Sequence, residues 1–539
     1  LVKNLELTLT NSEFVGLDLS EWASAGDWRL VFIHRDRLKN DTPSDVQRVA
    51  ATYIKPSNRT VALFHPTEKP DRAQIPVVTE AEVAALVRDY RGNAVMAEGE
   101  VFDPSPANID ARTLRSALPN GMKLALLPKE TRGDVVRALI TLRHGSEKSL
   151  TGRGTAARLM PAMLDKGTKQ RTRQQIKDEF DRLKAQVGFG GATNSVTASV
   201  NTTRANLLPT LRLVAEVLKE PAFDASEFEK LRAERLAGLE QFRSEPGMLA
   251  GNLMSRKLTP YPKGHPLATL TIDEEIAELK AVTLDDVKRV YAEEVGGTDG
   301  DVAIAGDFAR DSVAGMVREL FGSWKSATPF RRLERTYFDV APFNEKIETP
   351  DKANAMFVAG QNLKLRDDSR EYAAVTLGNY MLGGGFLNSR LATRIRQKDG
   401  LSYGIGSGVS AQQLDSVGQF QASAIYNPEN VLLLESAFKE EIDRVLKAGF
   451  TAEEVEKARQ GWLQQQLQNR AQDAFLVSLF SNQALTGRNM SYNTQLEKWI
   501  GALTQADVNA AMKKYLDLAK MSIVKAGDFA NHPPKTRPI

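Results

Sequence analysis

TLDDVKRVYAEEVGGTDGDVAIAGDF, residues 283–308, is the stretch from which the architecture can be read. Thr283 suits a helix N-cap and Asp286 suits the first turn, because both answer unpaired backbone N–H groups at the positive end of the helix dipole. Tyr291 lies on the helix that follows, and Asp301-Val-Ala-Ile-Ala305 then reads as a strand entering Gly306-Asp307-Phe308. The same pattern returns as TQADVNAAMKKYLDLAKMSIVKAGDF, residues 504–529, with Thr504, Asp507 and the tripeptide Gly527-Asp528-Phe529 in matching places and Tyr515 later on the helix. The offset is 221 residues. A fixed period of this kind marks repeated structural units.

A second pair of segments repeats independently. Phe223-Asp-Ala225-Ser-Glu227-Phe-Glu229-Lys230-Leu-Arg232 matches Phe450-Thr-Ala452-Glu-Glu454-Val-Glu456-Lys457-Ala-Arg459 at an offset of 227 residues. Two complete modules of roughly 220 residues account for both offsets. A third copy of the first pattern, Thr42-Pro-Ser-Asp45-Val46 with Tyr53 and a strand-like run Arg59–Phe64, matches only the last third of a module. Residues 1–75 are therefore expected to end a preceding module, which makes the chain the C-terminal part of a longer tandem protein. Residues 79–92 read as a helix with a glycine stop. Residues 93–113, with Pro104 and Pro106, read as a linker. The expected division is 1–75, a linker region 76–113, a module 114–330 and a module 331–539.

Each module alternates strands with long helices. Met122–Pro128 and Ala138–Arg143 read as strands around a turn at Thr131–Asp134. Ser226–Glu245 and Ala452–Asp473 read as long charged helices. This mixture predicts α+β modules with an antiparallel-rich sheet and helices packed on one face.

Composition narrows the chemistry. The 539 residues are 42% hydrophobic and 26% charged, with a net charge of +3 and no cluster of basic residues, which argues against a nucleic-acid partner. No run approaches the roughly 20 apolar residues of a membrane span. Cysteine is absent. The histidines are His34, His65, His144, His265 and His532, and no two lie within helical-turn spacing. A zinc site built from this chain is therefore not expected, and each histidine is expected on the surface, as a cap or, for His265, in a turn. The glycine clusters Gly188–Gly191 and Gly383–Gly385 precede no Lys-Ser/Thr and fit no dinucleotide fingerprint. Tight turns and close backbone approach explain them better than a nucleotide-dependent enzyme does.

Two segments carry a more specific signal. GTAARLMPAMLDKGT, residues 154–168, reads as a short buried helix between glycines, with Pro161 at an interior position that costs about 3 kcal/mol. GGGFLNSRLATRIRQKDGLSY, residues 383–403, reads as a glycine turn, a helix from about Ser389, a stop at Gly400 and a strand from Leu401. Arg396 sits in the last helical turn and Tyr403 seven residues on.

Together these segments resemble peptidase family M16, the pitrilysin/insulinase zinc metallopeptidases, over nearly the whole chain. The resemblance implies about four homologous α+β modules forming a two-halved clamshell, of which this chain supplies one half. The family's zinc helix carries H-x-x-E-H and ends like Lys166-Gly167-Thr168. Aligned on that end, its three positions fall on Arg158, Pro161 and Ala162, and the later glutamate ligand falls near Glu234. The chain is thus expected to bind no metal, with Zn²⁺ held by an N-terminal half on the same precursor or a partner chain. The family's C-terminal half lends an Arg and a Tyr seven residues apart to that site; Arg396 and Tyr403 match, although Asp399 or Lys398 stands where the family often has Glu. The resemblance implies peptide hydrolysis in concert with the zinc half and none by this chain alone. The alternative is an inactive M16-like scaffold or peptide-binding subunit. Gly190–Thr197 resembles the edge strand that holds substrate in active modules, and is read here as structural. Export of tandem family members in Gram-negative bacteria suggests a periplasmic location.

Overall fold

The computed structural model describes residues 2–55, 57, 59, 79–91 and 98–535. The chain divides into two compact units, one of residues 1–100 and 130–135 and the other of 101–129 and 136–539. In the first unit the helix Pro43–Tyr53 opens with a reciprocal capping box between Thr42 and Asp45, and Glu80–Val87 with one between Thr79 and Glu82. Residues 60–64 of the expected strand Arg59–Phe64, and 93–97 of the expected linker, lie outside the described residues.

The second unit contains two sheets. The first is built from β1 (Leu114–Ala117), β2 (Lys123–Pro128), β3 (Val135–Arg143), β4 (Gln186–Ala192), β5 (Ser195–Thr203) and β6 (Asp301–Gly306), in the order β1-β2-β6-β3-β5-β4. The second is built from β7 (Asn344–Glu348), β8 (Ala355–Leu363), β9 (Ser402–Ala411), β10 (Gly418–Tyr426) and β11 (Ser522–Gly527), in the order β7-β11-β8-β10-β9. Without β1 the two orders are identical. In both, one ladder is parallel, β2 with β6 and β7 with β11, while β4–β5, β3–β6, β8–β10, β9–β10 and β8–β11 are antiparallel. The internal repeat is thus a repeat of topology, and the architecture is the α+β one expected.

The repeated T-x-x-D-V signature does the same work each time. Thr283 and Asp286 cap Leu284–Glu294, and Thr504 and Asp507 cap Gln505–Tyr515, each as a reciprocal box. Both helices bury valines, Val287 and Val290 in one and Val508 in the other, in the core of their module.

Strand alternation sorts each sheet into two faces. Val136, Ala138, Ile140 and Leu142 of β3 join a core with helices such as Gly154–Met163 and Arg204–Lys219. Phe420, Ala422, Ala424 and Tyr426 of β10 do so in the second sheet. The other face of each sheet is covered as well, by one helix from the opposite module. Asp473–Thr486 lays Leu476, Val477 and Phe480 on Ala125, Leu127, Ala303 and Ala305 of the first sheet. Pro246–Leu258, its counterpart 227 residues earlier, lays Ala250, Met254 and Leu258 on Val358, Val524 and Ala526 of the second. Polar clasps fix both crossings. Arg143 donates to Ser481 O at 3.0 Å and Thr141 Oγ1 meets Ser481 Oγ at 2.9 Å; Asn362 donates to Leu258 O at 2.7 Å.

Candidate functional site

Arg396 and Tyr403 come together at the edge of the second sheet. The Arg396 guanidinium lies 4.9 Å from the Tyr403 ring centroid, a cation–π distance. Three local devices place them. First, the expected helix after Ser389 is a π-helix over Ala392–Lys398, in which Asp399 N–H donates to Arg394 O at 3.1 Å, five residues back. Such wide turns recur at functional sites. Second, Gly400 takes φ +62°, the left-handed value that lets the chain reverse into β9, and Leu401 N–H returns to Ile395 O at 2.9 Å. Third, β9 is bulged: Ser402 pairs with Tyr426 and Gly404 with Ile425, which leaves Tyr403 as the unpaired residue. Ser402 Oγ locks the bulge by donating to Ile425 O at 2.7 Å. A bulge re-aims a side chain, and Tyr403 is 87% exposed.

The glycines supply the floor. Tyr380–Gly384 is a second π-helical turn, pressed on β9 so closely that a Cβ at Gly383 would stand 2.7 Å from Ser407 N. Asn379 ties the two by accepting from Ser407 Oγ at 2.7 Å. Close approach, not a phosphate, explains these glycines. Gly188–Gly191 likewise lies within β4, whose hairpin partner β5 and the buried Pro161 crowd Gly191; a Cβ there would stand 2.9 Å from Pro161 Cγ.

Neighbouring arginines show what sets Arg396 apart. Arg390 makes bidentate bonds of 2.7 and 2.8 Å to Glu454; burial opposes ionisation of that carboxyl, yet these bonds and the Thr451 N–H hold it at about 2. Arg394 pairs with Asp399 at 3.0 Å and Glu440 at 2.9 Å. Half-buried Arg396 has no carboxylate partner among the described residues. A guanidinium braced on a ring and otherwise unpaired, beside an exposed phenol, can hold an anionic or carbonyl oxygen.

The stretch 154–168 forms a helix over Gly154–Met163, followed by a 3₁₀ turn over Leu164–Lys166. Pro161 is wholly inside it and buried, and Ala162 packs on the core. Arg158 donates to Thr155 Oγ1 at 2.9 Å and, with Glu234, lines a cavity of about 380 Å³. A guanidinium, a proline and an alanine offer no electron pair to a metal, so zinc does not fit this helix. Among the described residues no group of three His, Cys, Asp or Glu side chains could hold a metal ion. His265 does sit in a turn, stacked 4.4 Å from Tyr261. His144 does not lie on the surface: it is fully buried, with neither ring nitrogen hydrogen-bonded, and burial lowers its pKa to about 4. It extends β3 into the region under the helices, a burial set by tertiary packing that no local pattern announces.

Residues 281–461 match the family model of the peptidase M16 inactive domain, across the Leu284–Glu294 helix, the Arg396–Tyr403 segment and β8–β10. Over that stretch the chain is similar to peptidase family M16. Relatives of this chain include a non-peptidase homolog, YmxG, of Helicobacter pylori, 24% identical over 70% of this chain and 86% of its own length. Another is an uncharacterized zinc protease of Streptomyces coelicolor, 26% identical over 75% and 87%. Among solved structures, the peptidase M16 inactive domain from Pseudomonas fluorescens aligns with TM-score 0.68 and 25% identity over 79% of this chain and 98% of its own. The periplasmic protease PqqL of Escherichia coli shares the fold with TM-score 0.63 and 15% identity, over 92% of this chain and 51% of PqqL. No helix among the described residues is long and apolar enough to cross a membrane.

Proposed function

We propose that the chain is the non-zinc-binding half of an M16 zinc metalloendopeptidase, with 114–330 as a degenerate module and 331–539 as the module that lends its Arg/Tyr pair to the other half. The observation that carries this reading is the Arg396–Tyr403 pair itself: an arginine with no carboxylate partner, stacked on an exposed tyrosine that a bulge points outward. Alignment of nearly the whole chain with about half of PqqL is consistent with one half of a two-halved protein. Zinc and the water it activates belong to the N-terminal half. The role of Tyr403 is to donate its O–H to the scissile carbonyl oxygen as charge develops there, and the role of Arg396 is to hold substrate backbone or carboxylate oxygens in register. A periplasmic location accords with this reading.

The test combines the chain with its N-terminal half and follows cleavage of an unstructured peptide. Tyr403→Phe is expected to lower kcat by about 100- to 1000-fold, the usual loss for one oxyanion donor, with KM little changed. Full activity of the variant would remove the oxyanion role. A second reading, a peptide-binding or scaffolding subunit without hydrolysis, is favoured by the non-peptidase name of the Helicobacter relative. An N-terminal half that lacks H-x-x-E-H would decide for it.

A further inference from the structure

The two crossings of helix over sheet are built differently. On the second sheet Met356 and Val358 of β8 meet the apolar side of Pro246–Leu258. On the first sheet the contact is apolar over β2 and β6, but under β3, β5 and β4 the Asp473–Thr486 helix leaves a cavity of about 420 Å³. Arg137, Gln186, Asn201 and Ser478 furnish its polar lining, and Leu139 and Val477 its apolar floor. That volume falls within the range of about 300–1,000 Å³ typical of ligand sites, as does the mixture of apolar wall and few polar groups.

Two of those polar groups are unsatisfied. Arg137 is half-buried and makes no hydrogen bond or ion pair with the described residues; burial lowers its pKa, and Asp473, itself 2.6 Å from Lys129, draws it back only in part. Asn201 is 5% exposed, and its Oδ1 has no hydrogen-bond partner. It stands opposite Gln186 in the β4–β5 ladder, on the strand next to β3. A buried orphan acceptor costs about 1–3 kcal/mol, and a desolvated cation without a partner adds to that. Groups of this kind persist where something else satisfies them.

The ligand must bring a negative charge for Arg137, a donor for Asn201 Oδ1 and an apolar group for the floor. A phosphate or sulfate ion brings the charge but no apolar group. We propose that this cavity binds the C-terminal residue of a peptide, its free carboxylate on Arg137, its amide N–H on Asn201 Oδ1 and an apolar last side chain against Leu139 and Val477. The site is separate from Arg396 and Tyr403 and does not rest on the zinc reading, so the chain alone suffices to test it.

Three fluorescein-labelled probes separate the sources of the carboxylate: Ala-Gly-Ala-Gly-Ala-Leu with a free C-terminus, the same peptide amidated, and an amidated version with an internal Glu. Fluorescence anisotropy with the full chain is expected to show the free acid binding roughly tenfold or more tighter than either amide, as loss of a charge-assisted bond implies. Arg137→Gln should bring acid and amide to equal, weak binding. Asn201→Leu should weaken the acid, and Arg137→Lys, which keeps the charge, should retain part of the preference and guards against a fold defect in the glutamine variant. Equal binding of acid and amide, preference for the internal glutamate, no binding of any probe, or an unchanged preference in Arg137→Gln would each overturn the assignment.

Discussion

Replacing Gly383 by Ala tests whether the glycine-rich turn and β9 are fitted to each other at the level of single atoms. A Cβ at Gly383 would stand 2.7 Å from Ser407 N and 2.9 Å from Ser407 Cβ, and nearer still to Ser407 Oγ. The hydroxyl can rotate away, but the backbone nitrogen belongs to a ladder with β10 and moves only with the strand. Overpacking of this kind costs about 1–3 kcal/mol. Alanine's better helix propensity returns at most about 1 kcal/mol, so a net loss of about 1–2 kcal/mol is expected. With an unfolding entropy of about 2.1 cal/mol/K per residue over roughly 430 residues of the larger unit, each kcal/mol lowers Tm by about 1 °C. Scanning calorimetry should therefore record a fall of about 1–2 °C. Gly408→Ala is the control, because nothing lies within 4 Å of a Cβ there, and it should leave Tm within a few tenths of a degree. Gly383→Ala combined with Ser407→Gly should recover only part of the loss, since the backbone clash remains. Equal effects of Gly383→Ala and Gly408→Ala would refute the close-approach argument.

Thr283→Ala and Thr504→Ala each remove one capping box and should cost about 1 kcal/mol in urea unfolding, with little effect of combining them beyond addition. His144 is held neutral in the fold with a pKa of about 4 against the ordinary 6.5, so its contribution is complete above pH 6.5 and falls away as pH drops from there towards 4. That shift corresponds to roughly 3 kcal/mol, and His144→Leu should flatten the acid limb of a stability–pH profile. Excess zinc should leave the Tm of the isolated chain unchanged, because a ligand raises Tm only by binding the folded state; a rise reversed by chelator would contradict the reading that Arg158, Pro161 and Ala162 offer a metal no ligand.

The repeat was legible because it is written in local chemistry. Thr and Asp three residues apart cap a helix wherever they stand, and Gly-Asp-Phe follows a strand in both copies. The Gly154–Met163 helix was legible despite Pro161, since its apolar spacing outweighs one missing N–H. Arg396 and Tyr403 could be named from their separation, but not their stacking, which depends on the π-helical turn and on the bulge at Tyr403. The turn rests on a wide local bond, Asp399 N–H to Arg394 O, and the bulge on pairing with β10, further along the chain, locked by Ser402 Oγ to Ile425 O. The burial of His144 depends on tertiary packing, and the open space beside Arg137 on where a helix from the other module comes to rest.

That crossing also governs how the protein can be made and how it can change. Asp473–Thr486 covers the first sheet and Pro246–Leu258 covers the second, so each module holds part of its sibling's core in pledge. Cut between them near residue 330, either fragment would leave an apolar sheet face wet and an amphipathic helix with nothing to lie on. The smallest heritable unit is therefore the pair. Neither module could be deleted without uncovering a sheet face of the other, so each stays in the gene as the roof of the one beside it.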